Sequence, residues 1–411
     1  MPESSSTTLI APAGPALDGL STLPIDNLDV FGYIAANSYI VPEIIDVERF
    51  KDALSKTLVL FPLYAARSKN PSASSPPLSP RKVVLDPSAP LAAILLTTFP
   101  ALGVTSIGIT RWHPIGSDYV ASRFIRALSR FYEGVEMDVL GEPKPVYEAA
   151  RAFLPTPDPK LLEGIDTSAV EAYYPATSPH PQLDPSQPEN IRLDFRLSAP
   201  QVHQLHAAIH GLGGPNASFL TKQDCLVALV AVATNTADPS VPPIHTIDTI
   251  LDVRGAAAVP SELSFNGFTF APTDRIAPTG ENDYYAYASA VRKSIMRARE
   301  PGFLSALVDL QSAKAAEATN RGEIMDLASN PGHMMCNSTL RLDSNMRPHI
   351  HFGHPGKTRS YVGTVPFLRH LKLARPNPVE NADGTWTERL DVTEVTLYFQ
   401  PEVRDRFKRG G

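Results

Sequence analysis

The stretch WHPIGSDYVASRF, residues 112–124, decides how the rest of this 411-residue chain is read. It follows VTSIGIT (104–110), an apolar run with the pattern of a buried strand. Beyond it, Val120, Phe124, Leu128 and Phe131 recur at helical spacing, with Arg123, Arg126 and Arg130 turned away from that face. Asp118 stands where this helix needs an N-terminal cap, and Gly134 where it should end. His113 is thereby placed in a strand-to-helix turn, held firmly yet able to project into a cavity. An imidazole with an ordinary pKa of about 6.5 suits a general base near neutral pH. The competing reading is a partly buried histidine bonded to backbone.

Working outward, further elements are legible. Val47, Phe50, Leu54, Leu58 and Phe61 mark one helical face that stops at Pro62. Residues 224–233 are apolar nearly all round and predict a buried helix, with Thr221 and Asp224 as a capping box at its start. Residues 284–299 predict an amphipathic helix with Arg292, Lys293, Arg297 and Arg299 on its polar side. Residues 191–197 alternate with period two, as do the segments flanking a turn at Asn381–Gly384 and ending at residues 394–400. Helices and strands are mixed in both halves, so the class is α/β. The chain has 40 prolines, and three clusters of them punctuate it. The third, Pro175 to Pro188, lies near mid-chain without an apolar period. It is read as a crossover linker at 175–190, between an N-terminal domain 1–174 and a C-terminal domain 191–411.

Charge and composition exclude several functions. Lys and Arg number 37 against 43 Asp and Glu, a net charge of -6 that provides no global field for nucleic acid or anionic lipid. No apolar run approaches the roughly 18 residues of a membrane helix, and the first residues lack a signal-peptide pattern. Cys225 and Cys336 cannot build a disulfide framework, so free thiols in a cytoplasmic protein are expected, and the chain is also expected to be a monomer. Two histidine clusters, His349, His351 and His354 and then His203, His206 and His210, do not have zinc-site spacing, and no metal is expected. The dinucleotide fingerprint, the phosphate loop and the GxSxG elbow are absent.

In order along the chain, LPIDNLDVF (23–31), LVLFPLYAAR (58–67), the His113 segment, LTKQDCLVALVAVAT (220–234), LDVRG (251–255), SFNGFTF (264–270), HFGHPGK (351–357) and the C-terminal hairpin and helix resemble motifs of one family. It is the BAHD superfamily of acyl-CoA-dependent acyltransferases, especially its fungal secondary-metabolism branch. The resemblance implies two similarly sized α/β domains of the chloramphenicol acetyltransferase type, joined by a long crossover, with a channel between them. It implies acyl transfer from acyl-CoA, a co-substrate and not a tightly held cofactor, to a hydroxyl or amine of a small natural product. His113, matching the histidine of the family's HxxxDG motif, would be the general base. Ser338 and Thr339 would contact the acyl oxygen.

The chain departs from the family twice. Ser117 stands for the motif aspartate and Asp118 comes one residue late, where the family has glycine. In the family that aspartate pairs with the arginine of the VDxR strand, so Asp118, alone or with Ser117, is expected to pair with Arg254. In HFGHPG, His351 and His354 replace Asp and Trp of DFGWG, while Phe352 and Gly353 keep the turn. Two alternatives follow: the scaffold repurposed for a CoA-independent cyclisation or isomerisation, or a non-catalytic binding protein.

Overall fold

The computed structural model describes residues 6–14, 34–66, 90–167, 173–175, 190–256, 258–280, 283–325, 332–363 and 367–410. The LPIDNLDVF segment and most of the first and third proline clusters lie outside them. The N-terminal half runs β1 (Ile34–Val41), α1 (Val47–Leu60), β2 (Ala92–Phe99), β3 (Val104–Trp112), α2 (Asp118–Tyr132) and β4 (Tyr173–Pro175). It is followed by β5 (Ile191–Leu197), α3 (Ala199–Gly213), α4 (Lys222–Ala237), β6 (Thr246–Asp252), β7 (Phe268–Pro272), α5 (Asp283–Arg297) and α6 (Pro301–Asn320). Then come β8 (Glu323–Met325), β9 (His333–Ser338), α7 (Leu340–Met346), β10 (Arg359–Val362), β11 (His370–Ala374), β12 (Val379–Glu380), β13 (Trp386–Thr387), β14 (Thr393–Phe399) and α8 (Pro401–Gly410).

Two sheets organise these elements. A four-stranded sheet has the order β10-β1-β3-β2 and a six-stranded sheet the order β5-β14-β11-β9-β6-β7. In β3, buried and part-exposed residues alternate, because Thr105, Ile107, Ile109 and Arg111 all point one way. That face packs on α1 and α2 in one core with Phe50, Leu54, Leu58, Phe124 and Leu128. The other sheet packs on α4, whose all-round apolar surface is buried as its sequence requires. The capping box of Thr221 and Asp224 is present, and the Asn381–Gly384 turn joins the β12–β13 hairpin.

The halves exchange parts, so the division at 175–190 does not separate the sheets. β10, from the C-terminal half, pairs with β1, Ser38 opposite Tyr361. Just before it, Phe352 is sunk in the N-terminal core, 6.5 Å from the Phe50 ring. The loop is fixed there by Ser129 Oγ, which accepts from the Phe352 and His351 amides at 2.8 and 3.1 Å. Gly353 takes φ +89°, a left-handed conformation that suits glycine, and donates to Glu133. HFGHPG therefore anchors the crossing segment.

Several local expectations differ from the structure. Ser117, not Asp118, is the N-cap of α2, and Asp118 is its first helical residue. Arg123 is buried, not turned to solvent. It shares the Glu142 carboxylate with Arg126, its Nε donating to Oε1. Val47 is exposed and contributes nothing to the α1 core face. Arg292 of α5 is not a free solvated cation, because it reaches the buried Asp224 at 2.8 Å.

Candidate active site

β3 ends at Trp112 and a single tight turn, His113–Ile115, leads into α2. The turn is cramped: a Cβ on Gly116 would lie 2.8 Å from the Val120 side chain. His113 is 5% exposed, and its ring meets Phe268 of β7 edge-on at 5.7 Å. The histidine thus stands where the end of the smaller sheet faces the larger one. Burial, then the Arg111 guanidinium, push its pKa down to about 4, against the Asp118 carboxylate and a side-chain hydrogen bond shared with Asn266. The imidazole is therefore neutral at physiological pH and able to accept a proton.

Asp118 does not pair with Arg254. It pairs with Arg111, whose Nη2 donates to Asp118 Oδ1 at 2.8 Å. Arg111 also donates through Nη1 to Asn37 Oδ1 at 2.8 Å and through Nε to the Gly116 carbonyl at 3.1 Å. One buried guanidinium thereby ties strand, turn and helix start together. The register explains the correction: at the first helical position, the Asp118 carboxylate points back toward the strand from which Arg111 projects. Burial would raise Asp118, but Arg111 and then Lys372 hold its carboxyl below the ordinary range. The Ser117 hydroxyl is buried and has no hydrogen-bond partner among the described residues.

Arg254 serves the facing wall. Its Nε donates to the Leu263 carbonyl at 2.7 Å, its Nη2 to that of Phe265, and its Nη1 to Asp252 Oδ1 at 2.9 Å. The guanidinium fills the inside of the 263–267 loop so closely that a Cβ on Gly267, at φ +55°, would lie 2.8 Å from it. That loop carries Asn266, 1% exposed, against His113. Arg254 also lies over the Tyr119 ring at 5.1 Å, so both arginines flank the start of α2.

The other expected site residues lie elsewhere in the bond network. Ser338 Oγ donates to Gln223 Oε1 at 2.8 Å, and Thr339 Oγ1 to Asp343 Oδ2 at 3.0 Å, so both hydroxyl hydrogens are committed within the protein. Gly353 belongs to the anchoring loop. Of the histidine clusters, His351 lies 2.9 Å from Glu133 and His354 2.9 Å from Glu43. His203 lies 2.7 Å from Lys222 Nζ. A different trio, Asp166, His245 and His333, brings ligand atoms within 4.8 Å of one another. His333 Nδ1 is set by the buried Asp248 at 3.2 Å, and Arg275 sits 3.3 Å from His245 Nδ1. Both thiols are buried, and burial pushes Cys225 up to about 11 and Cys336 to about 12, which excludes them as nucleophiles near neutrality. Sequence reading missed Arg111 and Asn266. An arginine in an otherwise apolar strand, two residues before His113, was the available sign for the first.

No family model matches the chain, and no curated protein matches it. Solved structures do. TRI101 of F. sporotrichioides, determined with coenzyme A and T-2, superposes with a TM-score of 0.64 at 14% identity, covering 94% of this chain and 96% of its own. Vinorine synthase gives 0.64 at 16% identity over 98% and 96%. VibH, an NRPS condensation enzyme, gives 0.51 at 16% identity over 94% and 92%. No helix among the described residues is long and apolar enough to cross a membrane. Along at least 94% of its length, the chain carries the two-sheet, chloramphenicol acetyltransferase-like α/β fold of TRI101 and vinorine synthase.

Proposed function

We propose that this protein transfers an acyl group from acyl-CoA to a hydroxyl or amine of a small natural product, with His113 as general base. The observation that carries this reading is a buried imidazole on the tight turn at the end of β3, its ring against Phe268 of the opposite sheet. In this reaction the acceptor oxygen or nitrogen attacks the thioester carbonyl while His113 takes its proton. The tetrahedral oxyanion needs a donor, and the Asn266 amide, beside the ring and held by the Arg254 loop, supplies one. Collapse breaks the carbon–sulfur bond, and the imidazolium returns the proton to the CoA thiolate. The base is regenerated and no bond to the protein forms. Asp118 and Arg111 orient the turn and touch neither reactant. The coenzyme A in TRI101, a protein of the same fold, supports the choice of donor.

Binding can be tested apart from turnover. Millimolar coenzyme A is expected to raise the melting temperature of wild type and of His113→Ala alike, since the base is not needed for binding. No shift in either protein would refute CoA as the donor and favour a CoA-independent reaction on the same base.

A further inference from the structure

A cavity of about 480 Å³ opens between β10 of the smaller sheet and β5, β14 and β11 of the larger one. That volume suits a small organic molecule. Its walls carry five arginines and one lysine against four carboxylates, in a chain of net charge -6. Most of these charges are satisfied. Arg192 pairs with Asp194 and Arg196 with Glu394, both at 2.8 Å. Arg347 donates to the carbonyls of Arg375, Pro376 and Ser360. Two cations are not. Lys372 of β11 is 7% exposed, lines the cavity, and makes no hydrogen bond or ion pair among the described residues. Arg359 of β10 lies over the Trp386 ring at 5.8 Å, and its buried Nε likewise has no partner.

A buried ammonium is costly unless a counter-charge meets it. Asp118 and Asp343 favour the charged form of Lys372 without touching it, and burial holds its pKa below the ordinary lysine value. We infer that this cavity binds the carboxylate or phosphate group of the acceptor, with Lys372 and Arg359 as its counter-charges. The inference rests on the transfer reaction proposed above. Two features favour the acceptor over the phosphates of CoA. Lys372 interacts through space with Asp118, the residue clamped by Arg111 next to His113, whereas CoA's phosphates are separated from the reacting sulfur by the whole pantetheine arm. Trp386 beside Arg359 offers a flat apolar surface to the body of a small anionic molecule.

The test uses the full chain and thermal shift at matched ionic strength, with citrate, inorganic phosphate and adenosine 3′,5′-bisphosphate as probes. Citrate or phosphate is expected to stabilise wild type and His113→Ala, with apparent affinity about tenfold or more weaker in Lys372→Met and Arg359→Gln. Lys372→Met replaces a buried charge with a side chain of similar length and is expected to melt no lower than wild type without ligand. Arg359→Gln carries the test if it does not fold. Equal responses in wild type and variants, no response to any probe, or a Lys372-dependent response to the bisphosphate alone would each overturn the inference. Anion binding in a chain that releases no CoA from any donor would refute the transfer reaction and leave the anion site intact. CoA release without Lys372-dependent anion binding would do the reverse.

Discussion

Two buried arginines hold the two walls of the His113 site, and they do so in opposite ways. Arg111 spends its guanidinium on side chains and one carbonyl, with the Asp118 carboxylate as its counter-charge inside the fold. Arg254 spends its own mostly on backbone carbonyls, and its one carboxylate partner, Asp252, is 46% exposed. The first wall is an ion pair with a fully buried guanidinium and a carboxylate 23% exposed, and the second is a loop wrapped around a cation whose counter-charge is 46% exposed. Enclosed pairs are expensive to break, whereas solvated ones contribute little.

That difference orders the consequences of mutation. Asp118→Ala leaves Arg111 buried and uncompensated, and is expected to lose about 3–5 kcal/mol in urea denaturation. A loss below about 1 kcal/mol would reduce Asp118 to an acidic residue in a helix first turn. The same wall governs the response to acid. His113 titrates near 4 in the fold against 6.5 as its ordinary value, so the unfolded chain takes up the proton first as pH falls. Its contribution is complete above about pH 6.5, falls away toward pH 4 and amounts to about 3 kcal/mol. His113→Gln should lack that part of the acid slope, and an unchanged profile would show that the imidazole is solvated. On the other wall, Gly267→Ala must place a Cβ against the Arg254 guanidinium at a positive φ. About 1–3 kcal/mol of destabilisation is expected, with a larger fall in turnover as Asn266 shifts. Asp252→Ala should cost less than about 1 kcal/mol. A cost equal to that of Asp118→Ala would erase the contrast between the walls.

How much of this was legible in sequence follows from the range of each interaction. The helical face of α2, its end at Gly134 and the Thr221–Asp224 capping box are local patterns, and each is present. The placement of His113 at a strand end needed only its neighbours. The partner of Asp118 did not follow from motif order, because one residue of delay moves the carboxylate to the strand side of the turn. Arg123 looked solvent-facing because its counter-charge, Glu142, comes from beyond the helix. Asn37, which completes the Arg111 clamp, lies 74 residues upstream, and Asn266 reaches His113 from the other half of the chain. Lys372 and Arg359 share a cavity only because β10 crosses to the smaller sheet, a topology that no local period encodes.

The central claim is that His113 acts as the base of an acyl transfer. It is tested most directly by mass-spectrometric detection of CoA released from a panel of acyl-CoA donors in the presence of candidate acceptors. The account predicts donor-dependent, acceptor-dependent CoA release by the wild-type chain, and loss of that release in a folded His113→Ala that still binds coenzyme A. Equal release by the two proteins would contradict it.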